Sequence, residues 1–304
     1  MPSFPLSLTR REIGISLAAS AASIAIDPVR AASIGRPTVA DLIDRIRRRC
    51  ETEGIPWAAR TVDTIKAGSP ALPVHGVATT FMSTLAMLKD AVRAGTNLIV
   101  THEPTFWNHD DAVTAWQNDV LYRAKSDFIQ RHKLAIFRFH DHWHQTKPEP
   151  MSAAVRDQLG WDRYLVNRTD SGFEARYRRP PTSLTKLVGE LRETLPSRSI
   201  RFIGRPDLIV STIGMGSHGL DSVVTGLTSQ DALIVPEVRE FDSGAYARDL
   251  VQSGAAKALI LIAHERAEEG GMDRCANWLR TFIRDVPVRH LPSGEPFWSP
   301  AAVT

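Results

Sequence analysis

The chain has 304 residues, of which 43% are hydrophobic and 23% are charged, as is typical of folded proteins with one large or two medium-sized domains. The formal net charge is only +3 and the basic residues are dispersed among acidic ones, so no nucleic-acid partner is expected. Cys50 and Cys275 lie far apart and form no CxxC motif, so neither a zinc knuckle nor a disulfide framework is indicated. They are either one bridge or two buried thiols.

The first predicted segment, residues 1–31, has the pattern of a secretory signal. Arg10-Arg11 precede a short apolar stretch from Ile13 to Ile26, and Val29-Arg30-Ala31 has the small residues of a cleavage site. The paired arginines indicate the twin-arginine route. The apolar stretch is about half of the ~20 residues that span a bilayer, so no permanent membrane anchor is expected. We therefore predict an exported, periplasmic protein; the alternative is a cytosolic protein with an N-terminal tail.

Hydrophobic spacing predicts alternating helices and strands from residue 38 onward. A helix over residues 38–51, with Thr38 as its N-cap, is followed by a strand in HGVATT, a helix over 84–95 and an apolar strand in NLIVT. Next come a helix in VLYRAKSDFIQRH, a strand in LAIFRFHDHWH, and helices in MSAAVRDQLG and SLTKLVGELRETL. This alternation predicts an α/β fold of layered helices and sheets.

A glycine-rich segment follows a predicted strand in LIVSTIGMGSHGL. Gly214, Gly216 and Gly219 have the spacing of a dinucleotide-binding fingerprint. That fingerprint requires a helix after the third glycine, and the residues after Gly219 show little helical periodicity. We therefore expect no bound dinucleotide.

Two segments of the sequence share one pattern. Residues 85–103 and 245–265 each combine a helix, a glycine turn, an apolar strand and a terminal His-Glu. Ligands of open α/β sheets bind outside the carboxyl ends of strands. We therefore predict two layered α/β units of related topology, residues 32–165 and 166–304, with a metal site between N-terminal and C-terminal motifs.

Histidines and acidic residues cluster after three predicted strands. The clusters are His102-Glu103, the segment 140–144 with three histidines, and His264 with Glu268. The three histidines of the middle cluster would share one face of an extended strand, and His264 and Glu268 would share one face of a helix. Imidazole together with carboxylate suits Zn, Mn, Fe, Co or Ni. The clusters together predict a site for divalent transition-metal ions.

Four motifs together resemble a known family. They are AGTNLIVTHEP, FHDHWH, LIVPEVREFDSGAYARD and AHERAEEGGMDRCANWL, and they resemble the Nif-three-like dinuclear metal-centre proteins, often labelled type-two GTP cyclohydrolase I. The resemblance covers about residues 38–290, and the motifs occur in the family's order. It implies a centre of two metal ions and a ring-like homo-oligomer.

The chain departs from the family's motifs at two positions. The family has His-His-Pro after the first strand, His-x-x-x-Asp in the middle and His-x-x-x-Glu near the end. Here Glu103 replaces the second histidine and His144 replaces the aspartate, so the two departures are reciprocal. The resemblance then implies that two divalent ions are held by His102, Glu103, His144, His264 and Glu268.

Neighbouring residues are candidates for supporting roles. Glu237 matches an acid near the family's site, and it and Asp141 are candidates for moving protons, whereas His140 and His142 are expected to orient the ligands. Two metal ions activate a shared water, so we hypothesise a dinuclear metal-dependent hydrolase of an unidentified small molecule. The alternative is a non-catalytic metal-binding or metal-delivery protein. GTP is not the expected substrate, because an exported protein would rarely meet it.

Overall fold

The computed structural model describes residues 35–169, 174–195 and 197–298. The predicted export signal over residues 1–31 lies outside the described residues. None of the described helices has the length and apolar character needed to cross a membrane.

The described residues contain nine α-helices. They are α1 Val39–Thr52, α2 Leu85–Arg93, α3 Val120–Arg131, α4 Asp141–His144, α5 Pro150–Leu159, α6 Leu184–Thr194, α7 Leu220–Ser229, α8 Ala245–Gln252 and α9 His264–Arg280. Thr38 caps α1 as predicted: its hydroxyl accepts a hydrogen bond from the Asp41 backbone, and the Asp41 carboxylate accepts one from the Thr38 backbone. The predicted end of the helix in MSAAVRDQLG, at Gly160, is also observed. Gly160 follows α5 and takes the left-handed conformation with φ of 62°, which ends the helix.

Eleven strands of the described residues form two sheets. They are β1 Ile65–Ala67, β2 Val77–Thr80, β3 Leu98–Thr101, β4 Ala135–Arg138, β5 Leu165–Arg168, β6 Ala175–Ser183, β7 Arg201–Ile203, β8 Ile209–Met215, β9 Ala232–Val235, β10 Ala258–Leu261 and β11 Val288–His290. The first sheet has the order β1-β4-β3-β2-β11, and the second has the order β5-β6-β8-β9-β10-β7. The predicted α/β class is confirmed.

Each sheet contains the same strand–helix–strand unit. Strands β2 and β3 pair in parallel and are joined by α2, and β9 and β10 pair in parallel and are joined by α8. Both β3 and β10 are buried along their whole length, which is why their sequences are almost wholly apolar. This is the repeat predicted from residues 85–103 and 245–265.

The last described strand belongs to the first sheet. Strand β11 pairs in parallel with β2, and the apolar face of α9 packs into the core beneath that sheet. The second sheet has a separate core, to which α6 contributes its apolar face. The boundary expected near residue 165 stays a prediction.

The two cysteines are buried, unpaired thiols in the core that α9 completes. Of the two alternatives left by the sequence, the structure therefore has separate thiols. Burial raises the pKa of Cys50 to about 12 and that of Cys275 well above its usual value. Since the thiolate is the reactive form, both side chains serve packing.

The strand predicted in LAIFRFHDHWH is wrong beyond residue 138. Strand β4 ends there, and the chain turns into the short helix α4. The cause is Asp63, whose carboxylate accepts hydrogen bonds from the backbone N–H groups of His140, Asp141 and His142 at 2.7, 3.0 and 2.9 Å. A carboxylate at the start of a helix satisfies donors that have no partner within the helix.

The three histidines of this segment therefore do not share one face. His140 and His144 are one helical turn apart, whereas His142 points away from them. The Nε2 atom of His142 accepts a hydrogen bond from the Ala58 backbone at 2.9 Å, and its Nδ1 lies 2.6 Å from Asp63. His142 thus holds the preceding loop in place.

The residues after Gly219 form α7, contrary to the prediction from their weak periodicity. The helix is stabilised by packing, since Val223 and Leu227 are buried against strand β9. Gly226 permits this close approach, because a Cβ there would lie 2.6 Å from the side chain of Leu233. Tertiary contact here outweighs local propensity.

Candidate metal centre

The structure brings the five predicted metal ligands together, at the carboxyl ends of strands from both sheets. His102 Nε2 lies 3.2 Å from Glu268 Oε2, and His264 Nε2 lies 3.1 Å from Glu268 Oε1. Glu103 Oε1 is 3.7 Å from His264 Nε2. The ring centroids of His102 and His144 are 4.8 Å apart. One cluster of side chains therefore joins segments that are far apart in the chain.

Two overlapping groups in this cluster have the spacing needed to hold a metal ion. In each group the potential ligand atoms lie within 4.8 Å of one another, and both groups contain His102. The first adds two histidines and the second adds two carboxylates, both of which His264 contacts. We call His102, His140 and His144 the histidine group. Since His102 already belongs to that group, we call Glu103 and Glu268, together with the His264 that contacts them, the carboxylate group.

His140 is the candidate ligand that the sequence analysis missed. Its ring centroid lies 4.5 Å from that of His102 and 4.7 Å from that of His144. It was expected only to orient other ligands. The available signal was its spacing of four residues from His144, which places the two side chains one turn apart on the same face when the segment is a helix.

Each of the four imidazoles has an oxygen atom beside Nδ1. The contacts are His102 with the Phe139 carbonyl at 3.4 Å, His140 with Asp141 at 2.9 Å, His144 with Glu149 at 2.9 Å and His264 with Glu237 at 3.5 Å. Metal-ligating histidines almost always have such an acceptor, which fixes the tautomer and the orientation of the ring. The arrangement directs the Nε2 edges toward the centre.

The two acids predicted to move protons occupy different environments. Asp141 lies behind His140 and also accepts hydrogen bonds from the Thr61 hydroxyl at 2.8 Å and the Val62 backbone at 3.1 Å. Burial would raise its pKa, but the bonds from Thr61 and His140 lower the pKa to about 2. The Glu237 side chain is 56% exposed, and its bond with His264 lowers its pKa. Of the two acids, Glu237 is the more open to solvent, since the Asp141 side chain is 35% exposed.

Charge is distributed unevenly over the centre. Burial and the neighbouring rings of His102 and His144 lower the pKa of His140 to about 3. Burial would also lower the pKa of His264, but Glu268, the Glu237 bond and Glu103 outweigh it and raise the pKa to about 11. The pKa of Glu268 lies well below its usual value, because His264 and His102 outweigh its burial.

The side chains at the centre fit a bound cation. His102 Nε2 and Glu268 Oε2 are buried and have no hydrogen-bond partner among the described residues, since their 3.2 Å separation lacks hydrogen-bond geometry. Buried polar atoms without a partner cost free energy, and a metal ion bound by both atoms would remove that cost. Imidazole nitrogen and carboxylate oxygen together suit Zn, Mn, Fe, Co or Ni.

A buried arginine supports the centre, and the sequence analysis did not identify it. The Arg138 guanidinium is fully buried, and its Nε donates to the His102 carbonyl at 2.9 Å. Another of its nitrogens lies 3.5 Å from a Glu103 carboxylate oxygen. Arg138 therefore holds the backbone of one candidate ligand and balances the charge of the next.

Comparisons with known proteins agree with the motifs. The sequence profile described as Duf34/NIF3 (NGG1p interacting factor 3) matches residues 41–294, which confirms the resemblance. No curated protein gives a significant sequence match.

Several solved structures share the fold. Staphylococcus aureus hypothetical protein SA1388 superposes with a TM-score of 0.64 at 16% identity, covering 87% of this chain and 99% of that chain. A Bacillus cereus protein related to NIF3 gives 0.63 at 13% identity, covering 86% and 99%. Reduced HcgD from Methanocaldococcus jannaschii gives 0.58 at 13% identity, covering 84% and 98%. At 13–16% sequence identity, these superpositions show that the fold is shared.

Proposed function

The chain belongs to the Duf34/NIF3 family, and from this premise we propose that it is a dinuclear metal-dependent hydrolase acting on a small-molecule substrate. The observation that carries the proposal is two sets of donors that share His102. One set adds His140 and His144, the other adds Glu103 and Glu268, and in each set the ligand atoms lie within 4.8 Å of one another. Glu268 joins them, because its two oxygens face His102 and His264. Two adjacent groups of donors suit two ions better than one.

In this proposal the centre holds two divalent transition-metal ions of the Zn, Mn, Fe, Co or Ni class. The ligands are the five predicted residues together with His140, namely His102, Glu103, His140, His144, His264 and Glu268. When bound, such a pair of ions lowers the pKa of a shared water and neutralises charge that develops on the substrate. Arg138 lies 3.5 Å from the Glu103 carboxylate and holds the His102 backbone in position.

Glu237 takes the proton that hydrolysis releases. Its exposed carboxylate lies 3.5 Å from His264 Nδ1, so it is ionised beside the centre and can pass a proton to solvent. Asp141 acts through His140, because its oxygens are bonded to that ring, to Thr61 and to Val62. Asp141 is thus a positioning residue in this proposal.

Metal analysis combined with a substrate panel tests the proposal. Purified protein should contain two ions per chain, and hydrolysis of a phosphoester, amide or cyclic-amidine substrate should rise in proportion to bound metal. Glu237→Gln should keep both ions and lower turnover by ~100-fold or more, as expected for loss of a general acid–base group. Glu193→Gln, an exposed change on α6, is the control. Tight metal binding without turnover of any substrate would instead favour a metal-binding or metal-delivery protein.

Export and assembly complete the proposal. Residues 1–31 direct the folded protein to the periplasm, supported by Arg10-Arg11 and the short apolar stretch that follows. Replacing both arginines with lysine should trap the precursor in the cytoplasm, and unchanged export would contradict the twin-arginine route. Family membership supports a homo-oligomer, and a monomer by light scattering would contradict that part alone.

A further inference from the structure

A cavity of about 500 Å³ lies at one edge of the second sheet. Edge strand β7 forms one wall, and residues 238–245 with the start of α8 form the other. Its volume is within the range of small-molecule binding sites, ~300–1,000 Å³. The residues that matter for its chemistry are Arg201, Phe202, Val238, Phe241, Arg248 and Leu261.

Two guanidinium groups line this cavity. Arg201 and Arg248 are exposed. Neither guanidinium group has an ion-pair or hydrogen-bond partner among the described residues. Glu240 is the acid in the lining, which leaves an excess of one positive charge. Arginine is well suited to phosphate and carboxylate groups, because its planar fork of donors matches their oxygens.

The same cavity also presents aromatic surface. Phe241 is 78% exposed, and the Arg239 guanidinium holds its ring from one side at 5.3 Å from the ring centroid. Phe202 is partly buried, and Val238 and Leu261 add apolar surface. Phe241 lies in a π-helical turn, Glu240–Gly244, and such turns are frequent at functional sites. An exposed phenylalanine beside unpaired arginines suits a ligand with an aromatic ring and an anionic group.

The cavity and the metal centre both lie near the ends of strands β9 and β10. Val238 follows Glu237, which contacts His264, and Leu261 lies three residues before His264. Ligands of open α/β sheets bind outside the carboxyl ends of strands, where both features lie. The cavity and the centre therefore lie toward the same ends of these strands.

We propose that this cavity binds a small aromatic anion, with its ring against Phe202 and Phe241 and its phosphate or carboxylate on Arg201 and Arg248. Taking this ligand as the substrate of the centre rests on the proposed hydrolase function. The binding itself does not require turnover, so it can be measured separately.

Calorimetric titration of the full metal-loaded protein tests the binding. The probes are phenylphosphonate, whose carbon–phosphorus bond resists hydrolysis, and benzoate; the tighter probe identifies the preferred anionic group. Replacing Arg201→Gln together with Arg248→Gln should weaken binding of the tighter probe about tenfold or more, and Phe241→Ala should weaken it severalfold. The control is Arg205→Gln, an exposed arginine just past β7 that pairs with Asp207 and does not line the cavity.

Two further measurements distinguish the outcomes. Inorganic phosphate should bind the wild type more weakly than phenylphosphonate and should be unaffected by Phe241→Ala, because it lacks the ring that Phe241 contacts. His264→Ala should lose metal and any hydrolysis but keep probe binding, so failure of the hydrolase function would leave this inference standing. Absence of binding for both probes, or equal affinity in the double arginine variant, would overturn the inference. So would a change of oligomeric state in Phe241→Ala with probe affinity unchanged, which would make the cavity a contact between copies.

Discussion

The histidine group and the carboxylate group lie side by side but have opposite electrostatic character. His140 is neutral, with a pKa of about 3, because it is buried among other imidazoles. His264 is equally enclosed but has a pKa of about 11, because carboxylates surround it. Without metal, one group offers a neutral donor and the other holds a proton where an ion would bind. The two histidines therefore differ in whether a proton must leave before a metal ion binds.

The difference follows from the two positions at which the chain departs from the family's motifs. With histidine at 103 and aspartate at 144, each group would mix imidazole with carboxylate. Glu103 and His144 instead give the histidine group three imidazoles and place both carboxylates in the other group, beside His264. The exchange keeps the number of each donor type and brings both carboxylates into one group. The number of each donor type in the sequence does not show how the donors are distributed between the two groups.

The largest effect is expected from removing the carboxylate that contacts both groups. Glu268→Ala should lower the affinity for both ions by more than ~100-fold, because loss of a direct ligand exceeds the ~10–100-fold typical of supporting residues. Metal content after dialysis, measured by mass spectrometry, checks this. Asp273→Asn, an exposed change on the same helix, should retain both ions. Two ions retained by Glu268→Ala would show that the groups are independent.

Helices α5 and α9 each support one of the two groups, so a change at their contact tests whether the groups depend on each other's position. Glu149 at the start of α5 holds His144, whereas α9 carries His264 and Glu268. A Cβ at Gly271 would overlap the Met151 sulfur and lie 2.9 Å from the Met151 Cα. Gly271→Ala should therefore lower the free energy of unfolding by ~1–3 kcal/mol and weaken metal binding.

Chemical denaturation measures this change. A matched control is Gly189→Ala on α6, where a Cβ would meet nothing within 4 Å. Because alanine is the better helix former, this control should be neutral or stabilising by up to ~1 kcal/mol. Equal stability of both variants would contradict the close packing of α5 on α9.

The exchange of side-chain types can be reversed. Glu103→His and His144→Asp should each lower metal affinity by ~10–100-fold, because each unbalances one group. The double variant restores the mixed arrangement, so it should bind metal better than either single variant, and its two binding steps should have closer affinities. Competition with a chelator of known affinity measures both steps. Losses that simply add would show that the two residues act independently.

The smallest effect is a difference in proton release. At pH 8 His264 is protonated, since its pKa of about 11 lies above that pH, so an ion at the carboxylate group must displace about one proton. Affinity there should rise with pH. His140 contributes no proton, because its pKa of about 3 lies far below. Titrations in buffers of different ionisation enthalpy measure the release, which should be about one proton at pH 8 in the wild type and should persist in His140→Ala.

Local patterns in the sequence determined much of the fold and part of the centre. Strands β3 and β10 were predictable because a strand buried on both faces needs an unbroken apolar run. The pairing of His264 with Glu268 was predictable because residues four apart lie on one face of a helix. The positions of His102 and Glu103 followed from the strand before them. Each of these inferences depends on neighbours in the chain.

Only the tertiary structure decided the remainder of the centre. Asp63 lies 77 residues before His140 in the chain, yet its carboxylate starts α4 and so brings His140 beside His102. Arg138 reaches Glu103 only because β4 pairs with β3. No local pattern contains these contacts, because a capping carboxylate and a buried guanidinium act through space rather than along the chain.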